Sequence, residues 1–271
     1  MPPCYHLGWM RTEFPAQRWK LGRGMVQAQV QSTADGAIVF DASLGIRPGP
    51  DWFDPARWNP LGRAAGGRGG VVFVDTPAGT CALRHYHRGG LAARISADRY
   101  LWSGAARTRA FREFRLLASL ADGGLPVSLP VAARYVRDGL AYRADLLTRR
   151  VDADTLATRL AEGRLDAALA QRVGRTIAEF HAFGAWHADL NAHNILADAR
   201  DHISLIDFDR GRLRAVQLAW QQANLARLHR SLVKLGAHRV QGFEARFWHP
   251  LLAAYHAAMT ERALVAPESR R

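Results

Sequence analysis

Lysine is nearly missing from this chain: of its 37 basic residues only Lys20 and Lys234 are lysine. Any work that needs a fixed cation elsewhere falls to arginine. Cysteine is scarce as well. Cys4 and Cys81 make no disulfide framework, which fits a reducing cytosol. No apolar run approaches about 18 residues, so no transmembrane helix is expected. The N-terminus lacks the apolar stretch of a signal peptide. Internal repeats and low-complexity tracts are absent. No nucleic-acid-binding module is recognisable, so charge alone speaks for nucleic acid and none is expected as a partner. What is present is 271 residues, enough for one large domain or two lobes, in the proportions of a soluble globular protein. The net charge of +13 points to an anionic partner: nucleic acid, a membrane surface or a phosphorylated substrate.

The most informative stretch runs from His187 to Asp209, HADLNAHNILADARDHISLIDFD. His187-x-Asp189-Leu190-x-x-x-Asn194 follows the catalytic-loop pattern H-R-D-L-x-x-x-N, with Ala188 replacing the arginine. Thirteen residues after Asn194 comes Asp207-Phe208-Asp209, placed like the D-F-G that holds magnesium in kinases. Asn194-Ile195-Leu196 and Ile203 to Ile206 are apolar runs around a polar connection, which predicts a hairpin. Its open end sets Asn194 beside Asp207. An amide and a carboxylate offer oxygen ligands to one hard cation, and magnesium on phosphates needs only one or two protein carboxylates. Asp189 remains as the base that orients or deprotonates an attacking hydroxyl. The bland alternative is that these acids only cap a hairpin and a helix.

Residues 1 to 24 read as a disordered tail or an over-extended start, with Met25 as initiator; a basic arm touching a membrane is the alternative. Strand-like runs begin between Met25 and Phe40. Trp52, Phe53 and Trp58 either bind a sugar face or, more simply, anchor a loop on the core. Gly62 to Gly70 (GRAAGGRGG) precedes Val71 to Val74 and suits a lid over nucleotide phosphates, with Gly67, Arg68, Gly69 and Gly70 at its centre. It lacks the G-x-G-x-x-G spacing, and no G-K-[ST] follows to make it a Walker A loop. Cys81 to Tyr86 is the next strand. Kinases carry there a lysine that pairs the nucleotide phosphates; here Arg84 is the substitute. His85-x-His87 invites a zinc reading, but further ligands at finger-like spacing are missing.

Ala105 to Leu120 is helical by pattern, with Phe111, Phe114, Leu117 and Leu120 in one stripe. Glu113 is its only acid. It either pairs with Arg109 four residues back or sits where a kinase-like fold places the glutamate that locks the phosphate-binding cation. Val131 to Val136 and Tyr142 to Thr148 read as strands around Asp138-Gly139. The composition then turns helical through Gly184, so a lobe boundary and hinge are expected near 149 to 152. Residues 25–149 form the nucleotide-binding lobe and 150–271 the catalytic and substrate lobe. Asp166 is a good N-cap, with Leu169, Val173, Ile177 and Phe180 as the buried stripe and Gly184 as the stop. Beyond Asp209, Gln217 to Leu235 reads as an amphipathic helix with Leu218, Leu225, Leu228, Leu232 and Leu235 inward. Arg210, Arg212 and Arg214 are candidates for substrate phosphates, and the basic face is either solvated or anion-binding. Phe247 to Met259 is a packing helix.

On HADLNAHNIL (187–196) and IDFDRG (206–211), with WFDPARW (52–58), LRHYHRGGL (83–91), RYLWSGAARTRAFREFRLL (99–117) and WQQANLARLHRSLVKL (220–235), the chain closely resembles the 3-deoxy-D-manno-octulosonic acid (Kdo) kinases. These are lipopolysaccharide kinases of protein-kinase-like fold. The resemblance covers most of the chain after about residue 35. It implies an α+β, two-lobed fold with a β-rich N-terminal and a mainly helical C-terminal lobe. It implies ATP and Mg2+ as cofactors, and phosphorylation of the 4-hydroxyl of Kdo on a lipid A precursor. The expected setting is the cytoplasmic face of the bacterial inner membrane, with an anionic membrane surface as partner of a peripheral protein. An arginine at position 84 fits that family. Asp189 and His187 are then the catalytic pair. Arg84, Glu113 and residues 67 to 70 bind the nucleotide, and Asn194 and Asp207 hold the metal. Another kinase of the fold (for heptose or an aminoglycoside), a pseudokinase or a basic nucleic-acid-binding protein are the alternatives. The basic C-terminal half disfavours the aminoglycoside, and intact Asp189, Asn194 and Asp207 disfavour the pseudokinase.

Overall fold

The computed structural model describes residues 26–58, 60–63, 70–87 and 98–265. The N-terminal tail and Gly67, Arg68 and Gly69 of the glycine loop lie outside them. Two compact units divide the chain: one runs to Gly124 and takes Ser128–Arg150, the other takes Leu125–Val127 and continues from Val151.

The first unit is an antiparallel sheet with one long helix. Its strands are β1 (Ala28–Ser32), β2 (Gly36–Asp41), β3 (Pro60–Arg63), β4 (Val71–Thr76), β5 (Gly79–His85), β6 (Tyr100–Leu101), β7 (Pro130–Asp138) and β8 (Ala141–Arg149). Their order is β1-β2-β7-β8-β5-β4-β3, with β6 on β8. Alternation along the strands turns Ile38, Phe40, Val72, Val74, Cys81, Leu83, Val131 and Leu147 into one apolar cluster, which Trp52 and Phe53 close. The Trp58 indole N–H donates to the Trp52 carbonyl at 3.0 Å. These aromatics therefore anchor their segment on the core, and Trp52 and Phe53 are not available to stack on a sugar. The helix α1 (Arg109–Asp122) starts four residues later than its apolar pattern suggests, because Ala105–Arg107 forms a separate 3-10 turn. Its stripe of Phe111, Phe114, Leu117 and Leu120 is fully buried. Each such side chain contributes roughly 1.5–3 kcal/mol of burial.

The second unit is mainly helical. Its elements are β9 (Asp154–Thr155), α2 (Leu156–Ala161), α3 (Ala167–Ala182), β10 (Ala185–Trp186), β11 (Ile195–Ala197), β12 (Ile203–Leu205), β13 (Arg212–Leu213), α4 (Leu218–Lys234) and α5 (His249–Val265). The continuous helical pattern from 155 to 184 is thus broken into two helices. Asp166 begins the second, its carboxylate accepting the Leu169 N–H at 2.8 Å. Leu169, Val173, Ile177 and Phe180 face the core. Gly174 lets α5 approach α3 closely, since a Cβ there would stand 2.2 Å from the Leu251 carbonyl oxygen. In α4 the sequence stripe is only partly right. Leu225, Leu228 and Leu232 are buried, but Leu218 is 64% and Leu235 42% exposed. They sit at or just past the helix ends, while Trp220, Gln221 and Asn224 take the buried positions.

His181 on α3 is buried, with its Nδ1 2.9 Å from the Tyr255 hydroxyl of α5. Burial, partly opposed by the polar Asn224 side chain, pushes its pKa down to about 4. An unfolded ring takes up a proton near 6.5, which the folded ring refuses until about 4. Stability is therefore full above that upper value and falls as pH drops through the window, by about 2 kcal/mol at pH 5. Urea unfolding at pH 7 and pH 5 reads this directly. The wild type loses stability between the two, and His181→Gln loses measurably less; equal losses would contradict the assignment.

Candidate active site

The second unit carries the polar constellation. Helix α3 delivers the chain to Gly184, whose φ is +84° and where a Cβ would collide with the Arg214 carbonyl at 2.4 Å. The Gly184 carbonyl accepts the Arg214 N–H at 2.8 Å, and β10 pairs with β13. This anchors the loop that follows.

His187 is buried and holds that loop together. Its Nε2 donates to the Ile206 carbonyl at 2.9 Å, and its Nδ1 accepts the Asp189 N–H at 3.1 Å. Asn224 of α4 donates to the His187 carbonyl at 2.9 Å. Burial lowers the His187 pKa, with the Ile206 carbonyl as the main opposing influence. The ring is thus neutral, and both its nitrogens are committed to backbone. His187 positions Asp189 and does not itself line the cavity described below.

Hairpin β11–β12 pairs Ile195 with Leu205, and the Ile206 N–H donates to the Asn194 carbonyl at 3.0 Å. Asn194 and Asp207 therefore flank the open end of the hairpin. Asn194 is 7% exposed, and its side-chain nitrogen donates to the Asp189 carbonyl at 2.9 Å, which leaves its oxygen as the donor for a cation. Asp207 has a φ of +59°, in the left-handed region that aspartate tolerates better than most residues. Phe208 follows, buried between Phe180 and His187 at ring distances of 5.7 and 4.6 Å. The Gly211 N–H closes the turn onto the Phe208 carbonyl at 2.7 Å.

The result is an open cavity of about 420 Å³, walled by Ala188, Asp189, Asp207, Asp209, Arg210 and Arg227. Asn194 is not among its walls. Asp189 accepts from the Asn191 amide at 3.1 Å and lies 3.4 Å from Arg227 Nη1. Three carboxylates with two guanidiniums suit a cation–phosphate ligand better than an apolar one. Among the described residues, no three His, Cys, Asp or Glu side chains cluster to hold a metal unaided. The oxygen-only set of Asn194 and Asp207 fits magnesium whose remaining ligands are phosphate and water.

In the first unit, Arg84 on β5 lies against Glu113 of α1. The Tyr86 hydroxyl donates to the same Glu113 oxygen at 2.6 Å and accepts from Arg84 at 3.1 Å. Glu113 is 3% exposed, so these partners offset a large desolvation cost. Gly70, just before β4, is exposed. The two histidines of the zinc reading lie with their rings 4.9 Å apart, but His85 spends Nδ1 on Asp145 at 2.7 Å and Nε2 on Asp98 at 3.2 Å. The bond to Asp145 raises its pKa despite burial, which makes it a poor metal ligand.

The three arginines grouped in the sequence separate in space. Arg210, with a φ of +62°, lines the cavity. Arg212 and Arg214 instead lie over the Trp186 ring at 5.1 and 5.3 Å. Sequence reasoning missed Tyr86, Asp209 and Arg227. Tyr86 follows Arg84 by two on a strand and so shares its face, a signal that was there to use. Arg227 is one turn from Asn224, and only the contact of α4 with the loop reveals it.

Comparison with known proteins gives the family. Residues 57–255 match the lipopolysaccharide kinase (Kdo/WaaP) family. A 3-deoxy-D-manno-octulosonic acid kinase of Xanthomonas campestris pv. campestris (strain B100) is 48% identical over 225 residues, 82% of this chain and 90% of that relative. One of Stenotrophomonas maltophilia (strain R551-3) is 51% identical over 208 residues, 75% of this chain and 83% of the relative. The chain belongs to the lipopolysaccharide kinase (Kdo/WaaP) family. Its β-rich first unit and helical second unit are those of a kinase-like fold.

Proposed function

We propose that this protein is an ATP-dependent phosphotransferase that phosphorylates Kdo, at its 4-hydroxyl, on a lipid A precursor in lipopolysaccharide core biosynthesis. The observation that carries the reading is the cavity in which Asp189, Asp207 and Asp209 meet two arginines, on a chain whose relatives are named Kdo kinases. Asp189, exposed at the cavity wall, orients the sugar hydroxyl and takes its proton. Neutral His187 fixes the Asp189 backbone. Asn194 and Asp207 are the residues that would hold Mg2+, which when bound screens the charge of the ATP phosphates. In the first unit Arg84, held by Glu113 and Tyr86, is the phosphate-binding cation, paired across the strands with Val71, the residue after Gly70.

The acceptor is a lipid, and a membrane reading has support next to the cavity. No acid occurs from Arg210 to Phe243. Residues 212–219 are all exposed, with Leu213, Val216 and Leu218 among Arg212 and Arg214. Among the described residues no helix is long and apolar enough to cross a membrane. This alternation of arginine with apolar side chains suits peripheral attachment to an anionic leaflet, at the cytoplasmic face of the inner membrane. Arg210 then serves substrate phosphate, and Arg212 and Arg214 the headgroups.

The test is transfer of labelled γ-phosphate from ATP, with a Kdo-bearing lipid A precursor in acidic-lipid vesicles, free Kdo and an aminoglycoside as competing acceptors. The lipid-borne acceptor is labelled preferentially, and labelling falls as salt rises. Preferential labelling of the aminoglycoside would reject the substrate, and salt-independent labelling would reject the surface.

A further inference from the structure

One cation of the cavity has no role in that reading. Arg227 is the residue of α4 that touches Asp189, and the way α4 is held makes this contact a fixed feature. Asn224, Arg227 and Ser231 stand at i, i+3 and i+7, one face of the helix. Asn224 donates to the His187 carbonyl at 2.9 Å, and the Ser231 hydroxyl oxygen accepts the Ala192 N–H at 3.1 Å. The same helix face is thus fastened to the loop on both sides of Asp189, and Arg227 lies between the two fasteners. Buried Leu225, Leu228 and Leu232 hold α4 from below. A guanidinium carried on such a helix is better positioned than one on a turn, which is where Arg210 sits.

The pair adds little to stability. Arg227 Nη1 and Asp189 Oδ1 are 3.4 Å apart, with side chains 47% and 64% exposed. Exposed pairs of this kind contribute about 0–1 kcal/mol. It also occupies Asp189 Oδ1, an oxygen that the acceptor hydroxyl needs in the reaction. Both points make sense if the contact belongs to the resting arrangement only.

We propose that Arg227 is the cation that meets the transferred phosphoryl group, and that it does so by leaving Asp189. The inference rests on the phosphotransferase reading above. In the step, the acceptor oxygen bonds to the γ-phosphorus. The bond from phosphorus to the bridging oxygen breaks, and its electron pair stays with ADP. The acceptor proton goes to Asp189. As the γ-phosphate enters, its charge draws the guanidinium from the carboxylate. One movement then neutralises the equatorial phosphoryl oxygens and frees Asp189 Oδ1 to accept the proton. Charge placed where it develops in the transition state is a large contribution to catalysis.

The experiment compares the full-length wild type with Arg227→Ala, Arg227→Lys and Arg230→Ala, using ATP and the Kdo-bearing lipid A precursor. Arg227→Ala lowers kcat by about a hundredfold to a thousandfold, with the KM for ATP changed less than about threefold and an unaltered melting temperature. Arg227→Lys retains an intermediate rate, because lysine carries the charge without the planar fork. Guanidinium chloride at non-denaturing concentration restores about tenfold of the lost rate to Arg227→Ala and nothing to the wild type, a rescue that a merely structural role does not give. Arg230→Ala, exposed on the same helix, stays near wild type. An Arg227→Ala rate within about threefold of wild type, or a loss that guanidinium leaves unrescued, overturns the proposal. If the wild type labels no Kdo acceptor, the function reading has failed instead. Hydrolysis of ATP by the same variants then decides the role of Arg227 by the same criteria.

Discussion

Replacing Asp189 with asparagine is expected to lower phosphate transfer by about a thousandfold or more, within the range that a positioned general base contributes. Asparagine keeps the size of the side chain and can still bond the Asn191 amide, but it neither accepts a proton nor attracts Arg227. The backbone contacts that fix the loop are untouched: Asp189 N–H to His187 and Asn194 to the Asp189 carbonyl. Binding of ATP, measured by calorimetry, is therefore expected to stay within about threefold of wild type. Retained transfer would remove Asp189 from the mechanism. Lost transfer together with lost nucleotide binding would mean that the residue acts on the nucleotide and not on the acceptor.

Asp207→Asn has the second large effect and the opposite signature. The magnesium-dependent part of ATP affinity is expected to fall at least about tenfold, and turnover by about a hundredfold or more, because the transferring phosphoryl group needs its charge neutralised. The choice of asparagine matters. Asp207 has a φ of +59°, which asparagine also tolerates; alanine would add a backbone cost of about 1–2 kcal/mol and mix strain with lost charge. Titrations of ATP with and without magnesium separate the two. In the wild type magnesium strengthens binding, and in Asp207→Asn the difference shrinks. An unchanged magnesium dependence would show that Asp207 is not a metal ligand.

Much of this arrangement was legible in the sequence because it is local. The hairpin around Asn194 and Asp207 follows from two short apolar runs and a turn, so its register was readable without tertiary information. The stripe of Phe111, Phe114, Leu117 and Leu120 and the cap at Asp166 are likewise signals within one helix. What escaped reading is what distant segments decide. Whether Trp52 and Phe53 bind a ligand or close a core depends on a sheet built from β2, β4, β5, β7 and β8. The outward Leu218 and Leu235 differ from inward Leu225 and Leu228 only in where the partner elements end. His187 looked like a member of the catalytic pair because the motif contains it. Only its two backbone hydrogen bonds mark it as a positioning residue. The arginine triplet after Asp209 reads as one cluster, yet pairing of β10 with β13 carries Arg212 and Arg214 to Trp186 while the turn keeps Arg210 at the cavity. Arg227, 3.4 Å from the base, stands 38 residues away from it in sequence.

The cavity of Asp189, Asp207 and Asp209 is proposed to transfer phosphate from ATP to the sugar of a lipid. Fragmentation mass spectrometry of the product formed from ATP and a Kdo-bearing lipid A precursor tests it most directly. One added phosphate on the Kdo residue, at the 4-hydroxyl, is expected from the wild type and is missing with Asp189→Asn. A product phosphorylated on the lipid A sugars, or an equal yield from Asp189→Asn, would contradict it.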